Sequence, residues 1–219
     1  MKIGILADIH EAVEPLERAL AAFRALGTER IVVLGDVLEM GERIDTVVGL
    51  LTQAGAAGVW GNHDFGLCRE PPSWAREHFS STTLEYFQGL VPRLEIDGCL
   101  FTHVAPYLDP ENLEDLWSPG GFLSTPEAIE RSFAATRHRI LCMGHAHRWL
   151  LATPGGVKDW SGEGPVDLDR EQRTLVSVHA VLWGWCALLD TGASRLVPVD
   201  VRGSGVGRGQ PGPPGRGTG

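Results

Sequence analysis

The chain has 219 residues, 43% hydrophobic and 21% charged, with a formal net charge of -9. That is enough apolar material for one large domain, and an acidic balance that argues against life on a nucleic-acid backbone or an anionic membrane, both of which recruit Lys and Arg in patches. No apolar stretch reaches the ~20 residues of a membrane span, the run at 3–7 is too short for a secretory segment, and Cys68, Cys99, Cys142 and Cys186 form no C-x-x-C pair, so a soluble cytoplasmic protein with reduced core thiols is expected.

Residues 2–7 are apolar without a helical period, which predicts a buried strand ending at Asp8 and His10. Pro15 suits a first helical turn, and Leu16, Ala19, Leu20, Phe23 and Leu26 follow at helical spacing up to Gly27. A second strand at 30–34 runs into Gly35-Asp36, and Val47, Val48, Leu50, Leu51 and Ala54 mark a helix ending at Gly55. A third strand at 58–60 carries Asn62 and His63. Alternating strands and helices predict parallel pairing with right-handed crossovers, and ligands at the carboxyl ends of the strands.

Residues 65–90 are less regular; a helix is expected from Thr82 or Thr83, Thr82 and Glu85 being at capping-box spacing, with Leu84, Phe87 and Leu90 on its apolar face, covering one side of the strand ends. Segments 93–96 and 99–102 flank Asp97-Gly98, a two-residue hairpin signal, and the second ends at His103. The stretch 104–124, broken by Pro106, Pro110, Pro119 and Gly120-Gly121, reads as a functional loop. Thr125-Pro126 starts a helix with Ile129 and Phe133 inward, and a buried strand at 140–143 opens into Gly144-His145-Ala146-His147. Strands at 149–153, 173–178, 184–189 and 195–201 predict a mainly antiparallel second sheet packed on the first. Residues 203–219, nearly all Gly, Pro, Arg, Ser and Thr, predict a disordered tail beyond a domain spanning 1–202.

The strand ends collect Asp8, His10, Asp36, Asn62, His63, His103, His145 and His147. Carboxylate, amide and imidazole together suit divalent transition metals, manganese first, with iron, zinc, cobalt or nickel as further occupants; magnesium and calcium avoid nitrogen ligands. The donors outnumber what one ion takes, whereas two ions sharing a carboxylate fit the count. His78, His138 and His179 fall outside this pattern and are expected at surface or core positions.

In chain order these residues spell D-x-H, G-D, G-N-H-D, H and G-H-x-H, which resembles the motif series of the calcineurin-like metallophosphoesterase superfamily, most of all its small prokaryotic phosphodiesterase-like members. The resemblance implies an α/β fold, the four-layer αββα sandwich of two mixed sheets flanked by helices. It implies two metal ions, one held by Asp8, His10, Asp36 and His147 and the other by Asp36, Asn62, His103 and His145. His63 is left to act as the acid, with a metal-bridging hydroxide as nucleophile. The phosphoprotein phosphatase branch writes its second motif G-D-x-x-D-R-G, but residues 35–41 here read Gly-Asp-Val-Leu-Glu-Met-Gly, without the arginine. Glu39 keeps a carboxylate at the position that branch pairs with its catalytic histidine, which makes it a candidate to orient His63.

The expected substrate is a small phosphodiester of nucleotide-derived kind, with Arg148 at the phosphoryl oxygens. Walls carrying Phe65, Trp74, Phe79, Tyr107, Trp117 and Phe122 would take a flat group, Tyr107 and Trp117 touching it. The alternatives are a phosphomonoesterase, a nucleotide or dinucleoside polyphosphate hydrolase and, in another class, a non-catalytic protein-binding module on the same scaffold. Stable nucleic-acid or membrane partners are not expected.

Overall fold

The computed structural model describes residues 1–118, 123 and 125–203; the expected tail beyond Gly203, and residues 119–122 and 124 of the long loop, lie outside them. The first apolar runs form β1 (Lys2–Leu6), β2 (Arg30–Val33) and the short β3 (Ala57–Gly58), paired in parallel as the strand-helix alternation predicts. The hairpin β4 (Leu94–Ile96) and β5 (Cys99–Thr102) turns through Asp97 and Gly98, both at positive φ (50° and 73°), as the primed hairpin turn requires.

The remaining strands are β6 (Ile140–Met143), β7 (Leu150–Thr153), β8 (Gly156–Val157), β9 (Val166–Asp167), β10 (Thr174–Ser177), β11 (Trp185–Asp190) and β12 (Arg195–Asp200). They do not make one antiparallel second sheet. The order is β3-β2-β1-β11-β12-β9 in one sheet and β4-β5-β6-β10-β7-β8 in the other, so the last two long strands return to the first sheet and β10 pairs in parallel with β6. Both sheets are therefore mixed.

Alternation of side chains explains the layering. Ile3, Ile5 and Ala7 of the first sheet share one buried cluster with Phe101, Ile140, Cys142 and Val176 of the second, so these faces meet. The intervening residues Leu6, Val33, Leu100 and Leu141 face outward onto helices. Both faces being covered, the strands read as continuous apolar runs. Outside the first sheet lie α1 (Val13–Leu26) and α2 (Ile44–Gln53); a Cβ on Gly4 would stand 2.7 Å from the Phe23 ring, so glycine lets α1 close on β1.

The 65–90 region becomes α3 (Phe65–Arg69), α4 (Ser73–His78) and α5 (Ser81–Gly89). Ser80, rather than Thr82, caps α5: its backbone is extended and its hydroxyl accepts from Thr83 N, while Thr82 is already inside the helix. Asp45 accepts from the hydroxyls of both Ser80 and Thr83, at 2.9 and 2.5 Å, and so fastens α5 to α2. The long loop contains α6 (Leu113–Leu116), and α7 (Pro126–Ala134) starts with Thr125 as cap and Pro126 in the first turn, Ile129 and Phe133 buried. All four cysteines are free thiols, and among the described residues no helix is long and apolar enough to cross a membrane.

Candidate metal centre

Every strand that ends at the shared edge of the two sheets delivers a polar side chain there, and the backbone bends sharply to do it. Asp8, His10, Glu11, Asp36, His145 and His147 all have φ between 44° and 66°. For residues with a Cβ this left-handed conformation costs about 1–3 kcal/mol each, so the surrounding contacts must enforce it. One such contact is the meeting of the β2 and β3 ends: a Cβ on Gly61 would lie 2.1 Å from Asp36 Oδ1, and one on Gly35 2.7 Å from His103 Nδ1. Glycine is required at both positions by close approach.

Two donor groups share Asp36. The ligand atoms of Asp8, His10, Asp36 and His147 lie within 4.8 Å of one another, and so do those of Asp36, His103 and His145. In the second group His103, fully buried, donates from Nδ1 to the Leu34 carbonyl at 2.7 Å, which leaves Nε2 without a proton when the ring is neutral. That bare nitrogen faces Asn62 Oδ1 at 2.8 Å, His145 Nδ1 at 3.1 Å and Asp36 Oδ2 at 3.5 Å. Against the Asn62 and Asp36 oxygens, acceptor stands against acceptor, an arrangement a shared cation relieves.

The first group repeats the pattern. His10 donates from Nδ1 to Glu39 at 2.7 Å and turns Nε2 toward Asp36 Oδ2 at 3.7 Å and His147 Nε2 at 3.2 Å. His147 Nε2 lies 3.5 Å from Asp8 Oδ1, and the His145 N–H clamps both Asp8 oxygens at 2.9 and 3.1 Å.

The electrostatics agree with the geometry. Burial, with Asp64 and then Asp8 close by, raises the Asp36 carboxyl well above its usual range. Burial also lowers His103 and His10, and it takes His145 down to about 3, keeping these imidazoles neutral and available as ligands. Burial opposes ionisation of Asp8, yet its hydrogen bond to His147 and the histidines around it hold its carboxyl below the usual value; His147 is raised in turn by Asp8. Crowded carboxylates among neutral imidazoles and an amide oxygen are a donor set that fits divalent transition metals.

His63 stands beside the cluster. Its backbone N–H donates to Asp36 Oδ1 at 3.0 Å, its Nδ1 lies 3.5 Å from Glu39, and its ring is 4.8 Å from that of His10. Trp117, 55% exposed, flanks it at 5.3 Å between ring centroids.

A family model described as the calcineurin-like phosphoesterase superfamily domain matches residues 1–164. The chain belongs to this superfamily. Membership implies a phosphoester hydrolase. An uncharacterised protein of Methanocaldococcus jannaschii is 22% identical, the match covering 82% of this chain and 75% of that one. Among solved structures, a metallophosphoesterase from Sphaerobacter thermophilus superposes with a TM-score of 0.75 at 21% identity, covering 92% of this chain and 88% of the other. A novel archaeal phosphodiesterase superposes at 0.53 with 14% identity, covering 91% and 99%. These likenesses establish the fold.

Other expected positions of this phosphoesterase lie elsewhere. Tyr107 sits under the Arg131 guanidinium at 4.0 Å and lines a pocket with Arg93, Glu95 and His138, so its ring packs against α7 and is not offered to the cluster. Phe65 packs on Trp60, and Phe79 on the half-exposed Trp74, so these rings mostly cover one another. Arg148 is exposed next to His147. Phe122 lies outside the described residues. His78 and His138 are satisfied locally, by the Trp74 carbonyl and by Glu95 with Thr136.

Two carboxylates that hold the site together went unassigned in the sequence. Asp64, fully buried, accepts from the N–H groups of Val37, Leu38 and Gly61 at 2.9–3.0 Å and so ties the loop after β2 to the loop after β3. Glu11, also buried, accepts from those of Glu39, Gly41 and Arg43.

Proposed function

We propose that the protein is a dinuclear-metal-dependent phosphoesterase acting on a small phosphodiester. The observation that carries this reading is the pair of donor groups joined at Asp36 with His63 tied to the same carboxylate. Asp8, His10, Asp36 and His147 would hold one cation, and Asp36, Asn62, His103 and His145 the other. When bound, the cations supply Lewis-acid activation of the phosphoryl oxygens and of the attacking water.

The chain's own groups do the rest. The backbone bond from His63 to Asp36 fixes where the imidazole starts, and Glu39 holds its Nδ1 side, which leaves Nε2 to deliver a proton to the departing oxygen. Glu39 serves His10 more closely than His63, so it sets the orientation of a ligand and the acid together. Trp117 beside His63 offers a flat apolar surface, which favours a singly charged diester with an aromatic group over a compact dianion. Manganese, by donor chemistry, is the first occupant to try. Domain limits of 1–202 and a cytoplasmic location complete the proposal.

The test is turnover of bis(4-nitrophenyl) phosphate against 4-nitrophenyl phosphate with manganese. The diester should be cleaved faster. His63→Ala should keep bound metal and lower turnover by roughly 10²–10⁴-fold, less for nitrophenolate than for alkoxide leaving groups. Equal losses for both leaving groups would remove His63 from the acid role, and a complete donor set that binds no manganese would return the chain to the binding-module reading.

A further inference from the structure

Close after the Gly-His-Ala-His turn, the chain gathers aromatic rings around one buried donor. Trp149 follows His147 by two residues; its ring lies 5.6 Å from Trp160, 6.1 Å from Trp185 and 6.3 Å from His179. His179 stacks on Trp185 at 6.2 Å with an interplanar angle of 25°. This group stands at the catalytic edge, because the backbone around His179 is bonded to it: Val178 N–H donates to Met143 O, and Val181 and Leu182 N–H donate to Ala7 and Asp8 carbonyls.

The Trp149 residue is 7% exposed, and its Nε1 is buried with no hydrogen-bond partner among the described residues. A buried indole N–H normally finds an acceptor, and leaving one orphaned is costly. What covers it is the loop 158–164. Gly162 presses so closely on the indole that a Cβ there would lie 2.2 Å from its ring and 2.5 Å from Nε1. The loop's own bonds close on itself: Trp160 N–H donates to Lys158 O, Trp160 Nε1 to Gly164 O, and Ser161 N–H to Glu163. Lys158 N–H stays bonded to Leu151 O of β7 and marks the hinge; beyond it residues 159–164 are bonded internally and rest on the body through ring contacts, so they can lift without breaking a sheet.

We propose that the Trp149–His179–Trp185 cluster is the subsite for the flat, acceptor-bearing substituent of the diester, a ring of the nucleobase kind, and that residues 159–164 lift to admit it. The inference rests on the phosphoesterase reading above and names its substrate class. The Trp149 N–H gains an acceptor on the incoming ring, which stacks among the aromatic side chains. His179 adds a second donor: its Nδ1 accepts from Ala180 N–H at 2.8 Å, so its proton sits on Nε2. Burial, with His147 next, takes its pKa down to about 4, so the ring stays neutral.

Two esters with the same leaving group test this: thymidine 5′-(4-nitrophenyl) phosphate and methyl 4-nitrophenyl phosphate, compared as a ratio of kcat/KM under manganese. The nucleoside ester should be favoured by roughly tenfold or more, the worth of one stacked base, and Trp149→Phe should pull that ratio toward one. A merely structural role for Trp149 would lower both substrates together and leave the ratio unmoved. Trp160→Ser, at the half-buried loop ring that packs on Trp149, gives the same reading if Trp149→Phe does not fold. Quenching of tryptophan fluorescence by adenosine 5′-monophosphate adds a readout without turnover, with affinity expected to weaken in Trp149→Phe. A wild-type ratio near one, or a ratio unmoved in both variants, overturns the subsite. Failure to cleave either ester overturns the phosphoesterase reading instead, and the subsite then falls if the nucleotide binds wild type and Trp149→Phe alike.

Discussion

The two donor groups that meet at Asp36 are built from different materials. The Asn62–His103–His145 side is set by backbone and core: His103 is fully buried and anchored on the Leu34 carbonyl, and Asn62 is 7% exposed. On the Asp8–His10–His147 side the His147 imidazole is 32% exposed, and the outermost contact is Glu39, whose side chain is 45% exposed. One position is held by groups that cannot move without disturbing the fold. The other is held partly by side chains that water already reaches, so it should exchange its cation more readily and respond more to substitutions at the rim.

The largest effect should come from Asp36→Asn, which weakens the one carboxylate both groups share. Metal analysis should find both equivalents lost, and retention of two at full affinity would contradict the bridging role. Next come the unequal halves. His103→Ala should cost metal and also lower the melting temperature, since it removes a buried ring and leaves a carbonyl unpaired, a loss of about 2–5 kcal/mol. His147→Ala should lose one equivalent with little change in melting. Equal thermal losses would erase the distinction between a core-set and a rim-set position. The smallest change is expected for Glu39→Gln. The amide oxygen can still accept from His10, so metal affinity should drop by less than the 10–100-fold typical of removing such a partner, whereas Glu39→Ala should reach that range. A titration in which Gln and Ala behave alike would show that the negative charge, not the hydrogen bond, is what His10 needs.

What the sequence discloses follows from distance along the chain. The first sheet's parallel strands are legible because each apolar run is followed at once by its helix. The pairing of β11 with β1, Lys2 against Asp190 and Ile5 against Ala187, is not, because no local signal joins segments so far apart. Four strands in a row therefore looked like a sheet of their own. At the site, the residues the structure gathers are those that follow apolar runs, each a polar group where a buried strand stops. Glu11 escaped, and Asp64 was seen only as the last letter of G-N-H-D without a role, because a carboxylate that accepts backbone N–H groups is spelled like any acidic residue. For Glu11 the hint is position, directly after His10. Ser80 lost to Thr82 for a similar reason: capping-box spacing favoured Thr82, but the cap goes to the residue whose backbone is still extended.

The place of β11 also governs when the molecule can come into being. It fills the middle of the first sheet, between β1 and β12, and the N-terminal amino group bonds Thr191 just beyond it. During synthesis β1 and β2 must wait, with one edge open, until residues 185–190 leave the ribosome. Such long-range closure makes folding slow, in the millisecond-to-second range of topologies dominated by distant pairs, and exposes an apolar edge meanwhile. The Asp8 carbonyl gains its Leu182 N–H partner, and Ala7 that of Val181, only in that final step, so metal capture belongs to the end of folding.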